Sequence, residues 1–305
     1  MNYPIEVKVI TDSISPEGSR MTTFELSYPR FLHGEMNTHR ILSRNSQSSR
    51  AVTVKKSYEV NSKHVRPIVW GKNKAGMQST EVLKGLRLAL AKSCWNVSAK
   101  ASFAVSRLLE WIGLHKQWTN RITEPYSTIK VILTGTEFMN FFWLRQDPDA
   151  AQPEMVALAD KMRQAYDLSI PVQLKPNQWH IPYVYWEETT EGSQEFFDSN
   201  FDKLTEEQAL KISASCCAQV SYRALNDSRE KAMQIYDRLF SGAKQHLSPT
   251  EHQGKVMEVE SLEKDLPPCF MQGVTALNNK GKYLSGNLQG FIQYRQLLDK
   301  QGNQT

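Results

Sequence analysis

Residues 128–145, TIKVILTGTEFMNFFWLR, are the stretch that best predicts the fold. Thr128 to Thr134 is rich in β-branched and apolar residues, which predicts a buried strand. Glu137 to Leu144 follows after a glycine and predicts a short helix. A strand joined this closely to a helix indicates that both element types contribute to one core.

Upstream, Ile5 to Ile10 alternates apolar and polar residues, as a half-buried strand does. Asp12 to Gly18 predicts a loop, and Thr22 to Leu32 predicts a second strand or extended segment in which Pro29 disfavours a central position. Thr38 to Arg50 has no apolar period, so a short helix or loop is expected there.

A long helix is predicted from about Glu81 to Ile112, capped by Ser79 or Thr80 and ended by Gly113. Its apolar residues recur at steps of three and four, namely Leu83, Leu86, Leu90, Val97, Ala101, Val105 and Leu108. The other predicted segments are helices at Ala151–Tyr166, Thr205–Leu225 and Ser228–Phe240, an extended linker at Pro171–Tyr185, and a last segment at Gly286–Leu298.

The order of these elements has no regular βαβ rhythm. It therefore predicts an α+β fold with a mixed or antiparallel sheet and long helices. A soft boundary near residues 186–204 divides the chain into residues 1–186 and a mainly helical part, residues 187–305. A single domain made of both parts is the alternative.

Composition limits the function. Lys and Arg number 37 against 32 Asp and Glu, a net charge of +5 without a long basic run. Scattered arginines suit a small anionic ligand better than a nucleic-acid strand. The sequence has no G-x-G-x-x-G, P-loop or G-x-S-x-G pattern, which disfavours a Rossmann NAD site, an NTPase and an α/β-hydrolase.

Cysteine usage and the N-terminal sequence predict a reducing cytoplasm. None of the four cysteines forms a C-x-x-C pair, so a cysteine-based zinc site is not expected, and no other metal site is predicted. Cys216 and Cys217 are predicted to be packed thiols. The first residues lack a signal region, and no apolar run reaches about 18 residues.

The first polar cluster is Thr38-His39-Arg40 followed by Ser48-Ser49-Arg50. Arginine forks, serine hydroxyls and backbone amides are the donors that converge on a phosphate. A solvated polar loop is the alternative explanation for the same composition.

The second cluster is residues 136–145. Phe138, Phe141, Phe142 and Leu144 are expected in the core, whereas Asn140 and Arg145 need polar partners if the helix is buried.

Two further patterns lie elsewhere in the chain. Arg121 is in Asn120–Pro125, just before the predicted strand, where it could equally be a surface arginine. Residues 218–222, AQVSY, precede residues 246–252, HLSPTEH. The two histidines and Glu251 of the latter also suggest a metal site, but their spacing differs from H-E-x-x-H.

Together these patterns resemble the flavin-dependent thymidylate synthases, over about half of the chain. The family's Arg-His-Arg, seven residues, Ser signature corresponds to Thr38-His39-Arg40 and Ser48, with threonine in place of the first arginine. Its Asn-Phe and Leu-Arg pairs correspond to Asn140-Phe141 and Leu144-Arg145. Two further family residues, an asparagine and an arginine, are Thr134 and Thr136 here.

The blocks similar to residues 218–222 and 246–252 precede the signature in the family but follow it here by about 200 residues. Such a permuted order rebuilds the same site where the chain ends meet in space. The segment from Ser285 to Arg295 lines the pocket or is a C-terminal helix with a flexible lead.

The resemblance implies a role for each matching residue. Arg145 is implied as the catalytic residue that activates the pyrimidine ring. The implied nucleotide-binding residues are Ser48, Ser49, Arg50 and Arg121. The residues implied near flavin or folate are His39, Arg40, Asn140, Ser221, His246, Ser248 and Glu251.

The resemblance also implies FAD as cofactor, NADPH and methylenetetrahydrofolate as co-substrates, and a homotetramer. Residues 1–186 become a nucleotide- and flavin-binding core, and residues 187–305 complete the site. The implied reaction transfers a one-carbon unit to C5 of a pyrimidine deoxynucleotide, with dUMP to dTMP as the first choice. The alternatives are methylation or hydroxymethylation of dUMP or dCMP, a flavin- or nucleotide-binding protein without synthase activity, and a basic nucleic-acid-binding domain.

Overall fold

Five strands form the main sheet. The computed structural model describes residues 4–51, 53, 65–76, 78–79, 81–221, 228–240, 245–258, 275–277 and 283–298. The strands are β1 (Glu6–Ile14), β2 (Arg20–Pro29), β3 (Ser43–Ser46), β4 (Thr128–Gly135) and β5 (Val172–Gln173). Their order in the sheet is β3-β4-β2-β1-β5. All pairings are antiparallel except the parallel pair of β1 and β5, so the sheet is mixed. The predicted α+β fold class is confirmed.

The hairpin of β1 and β2 corrects two sequence predictions. The predicted loop from Asp12 begins too early, because β1 continues to Ile14, which pairs with Arg20. β2 is a central strand between β1 and β4, although Pro29 disfavoured that position. Pro29 is its last residue, opposite Thr128, where the missing N–H does little to the ladder.

Strand β4 confirms the prediction from which the fold was inferred. It pairs with β2 on one side and with β3 on the other. The stretch Thr38 to Arg50, predicted as a short helix or loop, instead contains β3. This polar stretch forms a strand because it pairs with β4, where Ser43 lies opposite Thr134.

Five of the predicted helices are observed. The α-helices of the described residues are α1 (His33–Met36), α2 (Gly85–Ile112), α3 (Lys116–Thr119), α4 (Met139–Arg145), α5 (Pro153–Leu168), α6 (Glu206–Ala218), α7 (Arg229–Phe240) and α8 (Tyr294–Leu297). Short 3-10 helices occupy Arg30–Leu32, Ser49–Ala51, Asn120–Tyr126, Gln219–Ser221 and Ser248–Glu251.

The ends of these helices test the predicted caps. Gly113 ends α2 with φ of 101°, as predicted. Thr205, the first residue of the predicted helix, caps α6, and the structure adds a capping box with Gln208. The predicted cap of α2 at Ser79 is wrong, because the cap residue is Lys84 and its side chain makes no capping bond. Thr80, Tyr222, residues 222–225 of the predicted helix, and Cys269 lie outside the described residues.

The main core lies between the sheet and helices α4 and α5. Phe24 of β2 meets Phe138 edge to face with ring centroids 5.2 Å apart, and Phe141 and Phe142 are equally buried. Leu144 is 37% exposed, so its predicted core position is wrong. Asn140 is exposed and needs no buried partner, because it lies on the solvent side of α4.

A second buried cluster extends from Trp179 to Tyr294 and includes the inner face of α6. The described strands outside the main sheet are β6 (Trp179–His180), β7 (Tyr185–Glu188), β8 (Gln194–Phe197), β9 (Lys203–Leu204), β10 (Gly254–Val256), β11 (Ala276–Leu277), β12 (Tyr283–Leu284) and β13 (Phe291–Gln293). They form the three-stranded sheets β13-β10-β6 and β7-β8-β9, and β11 pairs with β12. Cys216 and Cys217 are buried free thiols, as predicted. The predicted division near residue 186 stays a prediction.

A buried chain of hydrogen bonds joins the main sheet to the sheet formed by β13, β10 and β6. His180 of β6 contacts the Thr23 hydroxyl at 2.9 Å, and Thr23 contacts Thr134 at 2.8 Å. Thr134 in turn contacts Nδ1 of His252 at 2.8 Å. His180 also reaches Ser13 at 3.0 Å. Both rings are fully buried, and burial lowers the pKa of His180 and of His252 to about 3.

This burial predicts an acid-sensitive fold. Each histidine is neutral in the folded state and has a pKa near ~6.5 when unfolded. The stabilisation is complete above pH ~6.5 and is lost as pH falls towards ~3, by up to about 1.4 kcal/mol per pH unit for each ring. His252→Gln should therefore flatten the dependence of unfolding free energy on pH between 6 and 4.5, as measured by urea titration. An unchanged slope would show that His252 titrates normally in the fold.

Candidate functional site

Arg145, the last residue of α4, is the centre of the polar site. Its guanidinium points back to α1 and the segment after it, where three side chains accept its hydrogen bonds. Nε donates to Nε2 of His39 at 2.8 Å, Nη1 donates to Glu35 at 3.1 Å, and Nη2 donates to the Thr38 hydroxyl at 3.0 Å. These contacts occupy three of its five N–H groups. One N–H on each terminal nitrogen is left without an acceptor among the described residues.

His39 is held as a neutral acceptor. Burial, together with the charges of Arg145 and Arg44, lowers its pKa to about 4. A neutral ring keeps the lone pair that accepts the Arg145 proton. Phe141 packs against the ring with centroids 4.9 Å apart. The orientation of the Arg145 fork therefore depends on an uncharged imidazole.

Arg44 of β3 fixes the same segment from the other side. Its Nη1 donates to the carbonyl oxygens of Met36 at 3.0 Å and His39 at 2.9 Å, and Nη2 donates to that of Asn37 at 3.3 Å. Three carbonyl oxygens turned towards one guanidinium define the path of residues 36–39. Thr38 and His39 are thereby placed beside Arg145.

A cavity of about 840 Å³ opens beside Arg145. Its polar lining includes Glu35, Arg145 and Glu154, and its aromatic lining includes Phe31 and Trp95. Trp95 is fixed because its Nε1 donates to the Val65 carbonyl at 2.8 Å and its ring meets Tyr126 edge to face. The size is that of an ordinary small-molecule site, which is about 300–1,000 Å³.

Of the four residues predicted to bind nucleotide, Ser49, Arg50 and Arg121 lie on two short 3-10 helices in contact with each other, and Ser48 directly precedes the first of these helices. The Asn120 side chain donates to the Ser49 carbonyl at 2.8 Å, which joins 49–51 to 120–126. Arg50 and Arg121 are exposed, and Arg121 pairs with Glu124 at 3.7 Å. Pro125 of the same 3-10 helix lines the cavity, although Ser48, Ser49, Arg50 and Arg121 do not appear among its described lining residues.

The displaced block at residues 246–252 folds back onto the main sheet. Its 3-10 helix contacts β3, and His252 bonds Thr134 of β4. Glu251 pairs with Arg295, and its charge acts on Arg44. The chain thus brings this block to the strand that carries Arg44.

The segment before Arg295 lies along β3 and β4. The amides of Asn287 and Gln293 donate to the Ser43 hydroxyl at 3.3 and 3.2 Å, and the Gln289 N–H donates to the Thr136 hydroxyl at 3.0 Å. The predicted C-terminal helix starts later than expected, because residues 291–293 form β13. The hydroxyls of Thr134 and Thr136 are both engaged by side chains or backbone of this protein.

The remaining residues predicted near flavin do not converge on Arg145. Arg40, Asn140, His246 and Ser248 have exposed side chains. Ser221 ends a 3-10 helix, and its side chain lies outside the described part of the structure. Of the residues predicted for this role, His39 alone makes a described hydrogen bond to Arg145.

Three residues of the site were missed from sequence. Glu35 precedes Thr38 by three positions, Arg44 lies between Arg40 and Ser48, and Trp95 is on a helix more than 40 residues away. The carbonyl partners of Arg44 give it a structural role. The spacing of Glu35 on α1 gave no signal, since the contact depends on where α4 ends.

No group of three or more His, Cys, Asp or Glu side chains among the described residues is arranged to hold a metal ion. None of the helices in that part of the chain has the length and apolar character needed to cross a membrane.

Comparison with known proteins gives a partial structural likeness. No protein-family model matches the chain, and no curated protein matches its sequence. Two solved structures of PolB, a UMP/dUMP methylase from Streptomyces cacaoi, are similar to it, one bound with 5-Br UMP and one with 5-Br dUMP. The identities are 16% and 17%, the TM-score is 0.44 for both, and the match covers 54% of this chain and 89% and 90% of theirs. A TM-score below 0.5 at this identity does not assign a shared function.

The three carbonyl contacts of Arg44 predict the effect of removing them. Arg44→Met should loosen residues 36–39 and speed amide hydrogen exchange there by roughly tenfold, because charge-assisted bonds to the segment are lost. Arg40→Met, in the same segment but with an exposed side chain, is the matched control. Equal exchange in both variants would contradict the role given to Arg44.

Proposed function

We propose that this protein is an enzyme that binds a pyrimidine deoxynucleotide and transfers a one-carbon unit to C5 of its base, with dUMP to dTMP as the first choice. The observation that carries the proposal is the fixed guanidinium of Arg145 at the wall of the 840 Å³ cavity. The resemblance of Arg145 to the ring-contacting arginine of the flavin-dependent thymidylate synthases supports the same assignment.

The geometry of Arg145 suits a pyrimidine ring. Uracil carries carbonyl oxygens that accept N–H donors, and the terminal nitrogens of Arg145 each keep one. C5 becomes nucleophilic only when electron density shifts through the ring towards those oxygens, so a cation beside them stabilises the charge that develops. The fixed Trp95 ring on the cavity wall offers an apolar face to a planar base.

The phosphate is proposed to lie near the helix at residues 120–126. One end of this helix lines the cavity at Pro125, and Arg121 is four residues earlier on it. The contact between Asn120 and Ser49 brings Ser48 and Arg50 to the same place. Exposed arginines with serine hydroxyls nearby are a suitable donor set for a phosphate.

Flavin binding is a separate proposal, because the predicted residues fit it only in part. Arg40, His246 and Ser248 are exposed donors that remain open to a ligand, whereas Glu251 is paired with Arg295 and the threonine hydroxyls at 134 and 136 are engaged. The group would be FAD, held by His39, Arg40, Asn140, Ser221, His246 and Ser248. It would supply the reducing equivalents, with NADPH and methylenetetrahydrofolate as co-substrates.

Exposure of these donors agrees with a site that is completed by another subunit. We therefore keep a homotetramer as a prediction. A cytoplasmic location and the absence of nucleic-acid binding are separate predictions that rest on the sequence.

The role of Arg145 predicts a loss of nucleotide affinity on a conservative change. Arg145→Lys keeps the charge but loses the planar fork, so the dissociation constant for dUMP should rise by roughly tenfold or more. Calorimetric titration measures it. Arg163→Lys, a surface arginine on α5, should bind as the parent does. Equal binding by the parent, Arg145→Lys and Arg163→Lys would show that Arg145 does not contact the nucleotide.

The reaction is tested by supplying its components separately. Purified protein should show the absorbance of bound flavin near ~450 nm. It should release tritium from C5-labelled dUMP only with methylenetetrahydrofolate and NADPH. Parallel assays with dCMP, and analysis of the product for a methyl or hydroxymethyl group, identify the base and the carbon unit.

A second candidate is a flavin- or nucleotide-binding protein without synthase activity. It is favoured by Glu35, which pairs with Arg145 and offsets its charge, and by the engaged hydroxyls of Thr134 and Thr136. Nucleotide binding with no tritium release in the full assay would select this candidate. Salt-sensitive DNA binding without flavin or nucleotide binding would contradict both.

A further inference from the structure

We propose that α2 pairs antiparallel with α2 of a second copy of this chain. The surface involved is called the α2 seam and consists of Leu90, Cys94, Val97, Ala101, Ala104, Leu108 and Trp111, all of them exposed. This inference concerns assembly and does not depend on the chemistry of the cavity.

One face of α2 is used by its own chain. Ala99, Phe103 and Ser106 are buried, and the Ser106 hydroxyl donates to the Thr119 carbonyl at 2.9 Å. Trp95 on the same face lines the cavity. These positions follow each other at three- and four-residue steps, as one face of a helix requires.

The opposite face is apolar as well. Sequence periodicity had identified four of its residues, Leu90, Val97, Ala101 and Leu108, as part of an apolar face, and in a single chain such a face packs against the core. The structure instead leaves Leu90 55%, Val97 66% and Trp111 82% exposed, so the described part of the chain does not cover this face. A helix that is apolar on both sides is typically buried on both sides.

The spacing of the seam indicates what covers it. Its seven residues are separated alternately by four and three positions over the whole helix, which is the heptad pattern of a helix packed on another helix. Small residues occupy the middle, at Cys94, Ala101 and Ala104, and large ones the ends. A helix lying on a lipid surface gains from large side chains throughout, whereas small central residues allow two helices to approach closely.

A symmetric antiparallel pair fits this distribution of sizes. If the twofold axis of the pair crosses α2 at the level of Ala99, each residue faces a residue of the second copy, and the two residue numbers add to about 198. Leu90 then faces Leu108 of the second copy, and Cys94 faces Ala104. Arg87 comes beside Trp111 and Glu110, where cation–π and ion-pair contacts are available.

The surface is large enough for a stable pair. A helix of 28 residues is about 42 Å long. The exposed large residues of the seam are Leu90, Val97, Leu108 and Trp111, and Leu86, Val105 and Ile112 flank it on the same helix. At roughly 60–120 Å² per fully buried side chain, scaled by their exposure, they offer roughly 400 Å² of apolar area per copy. A standard interface of about 800 Å² per partner has an apolar share of about that size.

The first test measures assembly. Sedimentation equilibrium of the full-length protein should give at least two copies per particle. Leu108→Glu places a charge in the seam and should weaken association by roughly 30-fold or more. Lys92→Glu, an exposed change on the same helix outside the seam, should leave it unchanged. Circular dichroism checks that both variants are folded.

The second test measures the register. Ala104→Cys should form a disulfide-linked dimer with the natural Cys94 of a second copy under mild oxidation. The two positions lie about 15 Å apart along one helix, so they cannot bond within it. The dimer should be absent from Cys94→Ser/Ala104→Cys and from Lys92→Cys.

Several results would overturn the proposal. A monomeric parent protein, or an assembly that Leu108→Glu leaves intact, shows that α2 is not the interface. A monomer that binds anionic phosphatidylserine vesicles through the seam assigns the face to a lipid surface. Loss of nucleotide binding with intact assembly would contradict the proposed function alone.

Discussion

The hydroxyl of Thr134 lies at the junction on which the arrangement of the site depends. It bonds Thr23 on one side and His252 on the other, deep between the main sheet and the C-terminal strands. Because these polar groups are buried, each of them needs the hydrogen bonds that the others supply. The contact holds residues 246–252 against β4 even though they are more than 110 positions away in sequence. Nε2 of His252 has no partner among the described residues, so the network is satisfied on one side of that ring.

A second constraint orients Arg145. The guanidinium is held by a carboxylate, a hydroxyl and a neutral imidazole, and this mixture fixes its direction without surrounding it with anions. Glu35 is about one third exposed, so water screens part of its attraction to Arg145. The lowered pKa of His39 belongs to the same arrangement, since a protonated ring beside Arg145 and Arg44 would repel both.

Helix α2 connects the cavity to the outer surface. Its inner face supplies Trp95 to the cavity wall, and its outer face carries the seam proposed to pair with a second copy. A helix packed on both sides has fewer ways to move than one packed on a single side. The proposed association would therefore stiffen the cavity wall.

The sequence by itself determined the elements whose signals are local. The β-branched run at 128–134 and the glycine at 113 predicted their elements because strand propensity and capping act within a few residues. The resemblance implied roles for Arg145 and His39, and the structure places these two side chains 2.8 Å apart. Only the tertiary structure decided that 43–46 form a strand, that Glu35 and Arg44 fix the site, and that the apolar face of α2 points outward. These depend on contacts between distant segments, which no local pattern of side chains encodes.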